Sequence, residues 1–184
     1  NNNAATAKAI TIITGTNQFS NNGVQGLYAR SKGVITLKDV TANYNGNTGI
    51  NLINTYSTTA AAVNLQGTII ASGNDYGGLD VESNGAITAS TLVANGNIGI
   101  GVFLKNDSAV AAQAVTINGN GSQAKFNTGG GFFVDSRGAV TLVSLTATNN
   151  SGGWGASIDN TFSTVGSVVT LTGTNVFNNN SVGG

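Results

Sequence analysis

The sequence contains no cysteine, histidine, proline or methionine. Without cysteine and histidine there is no disulfide framework, no thiolate or imidazole metal site, and no catalytic thiol or serine–histidine pair. Charge is also scarce, because seven basic residues balance seven acidic ones and charged residues make up only 8% of the chain. A chain without net charge or a basic run is not expected to bind nucleic acid or an anionic membrane. No apolar run approaches the roughly 18 residues of a membrane-spanning helix, so no membrane insertion is predicted.

What the sequence does contain is glycine, asparagine, threonine and serine, which together make up half of the 184 residues. Such a composition invites the interpretation that the chain is disordered. Two observations argue against disorder: the aliphatic residues are regularly placed, and the high net charge that usually accompanies disorder is missing. We therefore expect a folded chain.

A glycine followed by alternating apolar residues recurs along the chain, at spacings that alternate between 23–24 and 29–30 residues. These anchor glycines are Gly26, Gly49, Gly78, Gly101, Gly131, Gly155 and Gly184. Each unit contains short pieces of period-2 alternation and no helical periodicity. Three short strands cannot form a sheet alone, but stacked copies form three parallel sheets around one core. The sequence therefore predicts an all-β fold, a parallel β-helix of about seven coils with alternating lengths of ~23 and ~29 residues.

Two polar columns accompany this repeat. An asparagine precedes most anchor glycines by four residues, and we interpret the column as an internal hydrogen-bonded ladder. Its members are Asn22, Asn45, Asn74, Asn97, Asn127, Asn150 and Asn180. A second column alternates between serine and asparagine: Ser31, Asn54, Ser83, Asn106, Ser136 and Asn160. The long units gain about six residues after this column, which predicts one loop on every second coil, all on one side.

The pattern Asn-Gly-x-x-Gly-Ile, at residues 95–100 and more loosely at 45–50, resembles the right-handed parallel β-helix repeat. That repeat occurs in pectate-lyase-like enzymes, phage tailspikes and large bacterial surface proteins. The resemblance covers essentially the whole chain and implies right-handed coils. It also implies an extracellular or cell-surface location, in a bacterium. It says little about activity, because the fold hosts many functions.

Charged side chains cluster on one predicted sheet face. Stacking at ~4.8 Å per coil would align the position four residues after each anchor glycine. The candidate catalytic residues are Asp80, Glu82, Lys105, Asp135 and Arg137. Paired carboxylates can perform acid–base chemistry on a glycosidic bond. No metal site is predicted first; the resemblance to β-helix lyases implies Asp80 and Glu82 as the candidate ligands if a Ca²⁺ ion is bound. The other interpretation is a column of alternating charge that neutralises itself and keeps the face soluble.

Three aromatic residues are candidates for ligand binding. Phe103 and Phe133 would stack outward beside the charges. Trp154, the only tryptophan, follows two glycines and either stacks on a sugar or fills a local gap. Together with the charges they define the alternative function, a polysaccharide-binding or polysaccharide-cleaving β-helix.

A column of outward threonines offers a minor alternative, ice binding. It comprises Thr36, Thr88, Thr116, Thr141 and Thr170, interrupted by Asn64 and begun by Ile12. The neighbouring column, with Thr14 and Lys38 as its first members, is irregular. Threonine is also simply a favourable strand residue.

The function predicted first is structural and non-enzymatic. We expect residues 1–184 to form one β-helix domain, either a window of a longer array or a unit that stacks head to tail. The expected partners are copies of itself or flanking repeats of the same chain, and the expected setting is an extracellular or surface fibre, adhesin or matrix protein. A polysaccharide partner belongs to the alternative function. No cofactor is predicted.

Overall fold

The computed structural model describes residues 7–184, which contain eighteen β-strands and no helix. In chain order the strands are β1 (Ile10–Ile12), β2 (Asn17–Gln18), β3 (Leu27–Arg30), β4 (Ile35–Lys38), β5 (Val40–Thr41), β6 (Ile50–Ile53), β7 (Val63–Ile70), β8 (Leu79–Glu82), β9 (Ile87–Val93), β10 (Ile100–Lys105), β11 (Val115–Ile117), β12 (Ser122–Gln123), β13 (Gly130–Asp135), β14 (Val140–Val143), β15 (Leu145–Thr148), β16 (Ala156–Asp159), β17 (Val169–Thr172) and β18 (Val176–Asn178). All strand pairs are parallel, and they stack into a β-solenoid of about seven turns. The predicted parallel β-helix is therefore confirmed.

The first sheet has six strands in the order β3-β6-β8-β10-β13-β16. Four of these strands begin directly after an anchor glycine, whereas β10 and β13 begin one residue before theirs, and the residues pair as the repeat predicts. Leu79 pairs with Val102, and Val102 pairs with Phe132. Because the register follows the anchor glycines, the side chains of this face can be located from the sequence.

The prediction of three separate sheets is wrong in one respect. The remaining twelve strands form a single second sheet, although they lie in two columns. The columns are joined by β7 and β9, which are long enough to belong to both. In β7 the register shifts between Leu65 and Thr68, where Gly67 adopts a left-handed conformation (φ 64°). This bulge lets one strand bend around the corner, whereas other coils break the strand at a left-handed residue such as Asp39 (φ 50°) or Ser144 (φ 50°).

The core lies between the two sheets and is built from like residues stacked on like. The first sheet contributes two inward residues per strand, and the second sheet contributes the rest. The largest fully buried side chains include Ile35, Leu52, Leu104, Phe132 and Leu142. Alternation of these residues with half-buried polar ones explains why isolated pieces of four residues form strands here.

The predicted asparagine ladder is confirmed along its whole length. Each side-chain Nδ2 donates to the Oδ1 of the asparagine in the next coil, over distances of 2.8–3.1 Å. In the middle of the ladder, Asn97 donates to Asn127 Oδ1 and to the Ala71 carbonyl, both at 3.0 Å. Its own Oδ1 accepts two bonds from Asn74, from the backbone N–H and from Nδ2. This buried amide therefore uses all four of its hydrogen-bonding positions.

The anchor glycines are required by the ladder. A Cβ at Gly78 would lie 2.8 Å from Asn97 Nδ2, and one at Gly49 would lie 2.6 Å from Asn74 Nδ2. Both distances are shorter than a carbon–nitrogen contact allows. The glycine of one coil thus leaves room for the ladder amide of the next.

The alternating serine–asparagine column is confirmed, and its alternation has a physical reason. In short coils the serine caps a tight turn: Ser83 Oγ accepts the N–H of Gly85 at 3.1 Å, and Ile87 begins the next strand four positions after Ser83. In long coils the asparagine bridges a loop that is five residues longer. Asn106 Nδ2 donates to the Gln113 carbonyl at 2.9 Å, and Val115 begins the strand nine positions after Asn106.

The loops of the long coils follow this column at residues 55–62, 107–114 and 161–168, as predicted. They recur on every second coil beside the first sheet.

The threonine column begins one residue earlier than predicted. Thr11, not Ile12, pairs with Thr36, while Ile12 points inward beside Leu37. The same register places Ile13, rather than Thr14, next to Lys38 in the neighbouring column. The error arose because the first coil has no anchor glycine from which to count.

Candidate functional site

The candidate residues lie on the outward face of the first sheet. Glu82 pairs with Lys105, and Lys105 pairs with Asp135, so the three side chains form the predicted row. Asp159 continues this row beside Asp135. The row holds one lysine against three carboxylates, so its charges do not cancel within these four strands.

A second row lies two residues earlier on the same strands. Asp80 pairs with Phe103, and Phe103 pairs with Phe133, as the sequence predicts. Asn51 precedes Asp80 in this row. The aromatic pair therefore stands next to a carboxylate, although the two rows do not converge on one point.

Asp80 borders an open cleft of about 290 Å³, which we call the Asp80 cleft. Its walls are mainly apolar and are formed by Thr48, Tyr76, Leu79, Asp80, Ile100 and Phe103, with three glycines between them. At the position before the anchor glycine, Gly77 stands where the neighbouring coils carry Thr48 and Ile100, and Gly130 leaves the same position without a side chain two coils further on. The cleft lies where Gly77 has no side chain.

The electrostatics of Asp80 are unusual. The pKa of its carboxyl is raised to about 6, because burial and, to a smaller extent, the charge of Glu82 outweigh the lowering effect of Lys105. Its Oδ1 is buried and has no hydrogen-bond partner. Buried polar atoms in proteins are almost always paired, so this atom calls for an explanation.

The neighbouring carboxylates respond to their own surroundings. Burial raises the pKa of Asp135, helped by Asp107 and Asp159, while Lys105 lowers it. The pKa of Asp159 is lowered, because its Oδ1 accepts hydrogen bonds from the Thr161 hydroxyl at 2.7 Å and from the Thr161 N–H at 2.9 Å.

Lys105 is turned towards the loop of its own coil. Its Nζ lies 3.8 Å from Asp107 Oδ2, and the two residues border a smaller cleft of about 200 Å³ together with Glu82 and Thr55. Within residues 7–184, no ammonium or guanidinium group forms an ion pair with Asp80.

Arg137 is not part of either row. Its Nη1 donates to the Ala109 carbonyl in the loop of the preceding long coil, and its N–H donates to Asn106 Oδ1 at 3.3 Å. Asn84 fastens another loop in the same way, since its Nδ2 donates to the Ser57 carbonyl. In this position Arg137 serves to hold a loop.

Trp154 lies over the next coil. A Cβ at Gly183 would meet Trp154 ring atoms at 2.5 and 2.7 Å, so the indole packs on that glycine while 45% of the residue stays exposed. The indole thus contacts the next coil on one side and solvent on the other, and both interpretations, gap filling and sugar stacking, stay predictions. The residues described here include no group of three or more acidic side chains that could hold a metal ion.

Sequence reasoning missed Tyr76, Ile100 and Thr48 as parts of a cleft. The signal that could have found them is the alternation of small and large residues just before the anchor glycines, where Gly77 interrupts a row of side chains. The catalytic, calcium and ligand-binding roles of the candidate residues remain predictions.

Comparison of the chain with protein-family models, with curated proteins and with solved structures found no match. The structure has no apolar helix of membrane-spanning length in residues 7–184. The resemblance to the β-helix repeat therefore rests on the residues and on the observed solenoid.

Proposed function

We propose that the chain is a non-enzymatic structural segment of an extracellular or cell-surface fibre, adhesin or matrix protein, extended by the stacking of further coils. The observation that carries this proposal is the unbroken asparagine ladder. From Asn74 to Asn150 every ladder amide is buried and bonded to the coils on both sides. A polar network of this kind stabilises a fold only when all its members are satisfied.

The ladder has a direction, because in every bond between two ladder asparagines the donor is the residue of the more N-terminal coil. Among the described residues Asn22 Oδ1 has no donor, and Asn180 Nδ2 has a single acceptor, the Ala147 carbonyl at 3.0 Å. One side of the stack therefore presents an acceptor and the other a donor. These groups fit a further coil of the same repeat, supplied by flanking sequence or by a second copy.

The coil formed by β16–β18 also leaves core positions uncovered. Val169 and Leu171 are 40% and 42% exposed, whereas their register partners Val140 and Leu142 are fully buried. Another coil would bury these side chains in the same way. Exposed apolar area and unused hydrogen-bond groups on one strand edge are the usual features of a surface that pairs.

The extracellular setting is supported by the way the fold is held together. The ladder and the stacked core need neither cysteine nor a metal ion, so the coils are insensitive to the redox state of their surroundings. The resemblance to the repeats of bacterial surface proteins points to the same location.

The experiment is sedimentation velocity over a range of concentrations, with electron microscopy of the same samples. We expect the 184-residue chain to associate end to end into rods that lengthen with concentration. Leu171→Lys should prevent this association, because it places a charge among stacked apolar side chains. Thr146→Lys, which adds the same charge to the side of the second sheet, should not. A chain that stays monomeric at high concentration would contradict stacking between copies.

A further inference from the structure

The Asp80 cleft combines three features that the structural role does not use. It has an acidic side chain in an apolar recess, an aromatic wall, and a carboxylate oxygen without a partner. We propose that the Asp80 cleft binds a small organic ammonium ion, a primary amine carried on a short apolar or aromatic body. This site lies on the side of the solenoid and is independent of stacking at its ends.

The charge of Asp80 selects the ligand. A carboxylate in an apolar recess is poorly hydrated and strongly favours a partner that brings a positive charge and N–H donors. The nearby ammonium of Lys105 lowers the pKa of Asp80, but its ion pair is with Asp107, at 3.8 Å, and not with Asp80. A ligand ammonium in the cleft would supply the opposite charge that Asp80 lacks.

The aromatic side chains favour the same class of ligand. Phe103 stands beside Asp80 on the adjacent strand, and Tyr76 lies across the cleft with 65% of its surface exposed. A cation held within about 6 Å of an aromatic ring is attracted by the negative face of that ring. The apolar body of the ligand would pack on Leu79 and Ile100, which line the cleft as well.

The volume limits the size of the ligand. A cleft of about 290 Å³ lies at the lower end of the roughly 300–1,000 Å³ usual for small-molecule sites. It accommodates one ring or a short alkyl chain. A neutral hydroxyl compound could also donate to Asp80, but it would leave the carboxylate charge uncompensated.

The test uses benzylammonium and, as its uncharged counterpart, benzyl alcohol. Both are titrated into ¹⁵N-labelled protein at pH 8, and binding is followed on the backbone amides of Gly77, Gly99 and Gly129, which line the cleft. We expect benzylammonium to shift these three amides in a saturable way and to bind about tenfold more tightly than benzyl alcohol. Equal binding of the two compounds, or no shift of the three glycines, would overturn the proposal.

The deciding variant is Asp80→Asn, which keeps the shape and removes the charge. We expect it to weaken benzylammonium binding about tenfold and to leave benzyl alcohol unaffected. The matched control is Asp135→Asn, which makes the same change in net charge on the same sheet face but does not line the cleft. Equal losses in the two variants would mean that only the overall charge matters, and would refute the site.

A pH series provides a second readout. The titratable groups that face Asp80 are Glu82 on its own strand, Lys105 on the adjacent strand β10, and Tyr76 across the cleft; the strand on the other side, β6, contributes none. With a pKa of about 6, Asp80 is ionised at pH 8 and largely protonated at pH 5. We expect benzylammonium binding to weaken about tenfold between these pH values. Affinity that is independent of pH would contradict a role for the Asp80 carboxylate.

Discussion

At the scale of single residues, the ladder asparagines combine a buried position with four used hydrogen-bonding sites. The side chain therefore stabilises the fold through the hydrogen bonds that it makes to both neighbouring coils. Asn97 shows this most clearly, since it touches Asn74, Asn127 and the Ala71 carbonyl at once. Replacing it removes bonds from two coils in addition to its own.

We expect Asn97→Ala to lower the free energy of unfolding by about 3–5 kcal/mol, because a buried polar group left without a partner costs roughly 1–3 kcal/mol. Urea-induced unfolding followed by circular dichroism measures the change. The control is Asn118→Ala, at an exposed asparagine, which should change stability by no more than about 0.5 kcal/mol. Similar small effects of both substitutions would show that the ladder contributes little.

A second residue-scale prediction concerns Asp80. Its pKa in the folded protein, about 6, lies above the ordinary value of 3.8. As pH rises through this interval the unfolded chain loses its proton first, so folding becomes less favourable until the folded carboxyl is also ionised. Below about pH 3 the carboxyl is largely protonated in both states and the effect vanishes.

Asp80→Asn should therefore stabilise the protein by roughly 2–3 kcal/mol at pH 8 and leave it nearly unchanged at pH 3. Chemical unfolding at the two pH values measures this difference. Asp159→Asn, at a carboxyl whose pKa is lowered by its hydrogen bonds from Thr161, provides the comparison and should not gain stability at pH 8. Equal gains at both pH values would mean that asparagine packs better than aspartate at this position, and not that removing the carboxylate charge stabilises the fold.

At the scale of elements, coil length depends on one residue and the loop that it spans. Serine reaches the second residue after it and caps a tight turn, whereas asparagine reaches seven residues ahead and holds a loop. An exchange of serine for asparagine, or of asparagine for serine, should therefore preserve stability only when the loop length is changed with it.

Two variants of the long coil test this pairing. Both replace residues 107–114 by the turn Asn-Gly-Ala of the short coil, and they differ only at position 106, which is either kept as asparagine or changed to serine. We expect the serine variant to be more stable by about 1–3 kcal/mol, because the asparagine amide then has no loop carbonyl to bond and stays buried. Thermal unfolding compares the two, and an advantage for asparagine would refute the argument.

Strand positions and inward columns could be predicted because each coil repeats the alternation after an anchor glycine, and a one-residue error would turn every side chain to the wrong face. The union of two sheets into one could not, since it depends on whether the chain passes a corner at Gly67 or breaks at Asp39. The rows of charged residues could be predicted from the strand register. The cleft could not, because it forms where Gly77 has no side chain.

At the scale of the whole molecule, each coil contacts mainly its two neighbours, so stability accumulates along one direction. A core residue should contribute more to the free energy of unfolding where coils cover it on both sides than where one side is open. Leu142 and Leu171 occupy the same column and differ in this respect alone, since the first is fully buried and the second 42% exposed.

In dilute solution we expect Leu142→Ala to cost about 3–5 kcal/mol and Leu171→Ala less than about 1.5 kcal/mol. Denaturant unfolding at low protein concentration measures both. Raising the concentration should increase the cost at Leu171 if another copy covers it, and should leave the cost at Leu142 unchanged. Equal costs in dilute solution would be inconsistent with an open edge.

The loops and the ladder occupy opposite ends of the first-sheet strands, and the loops recur only on every second coil. Spaced by two coils, they stand about 10 Å apart along the axis. Substitutions in a loop can therefore accumulate without disturbing the amides that hold the stack together. The protein separates a part that must stay constant from a part that is free to diverge, so new surfaces can evolve at a regular pitch on an unchanged scaffold.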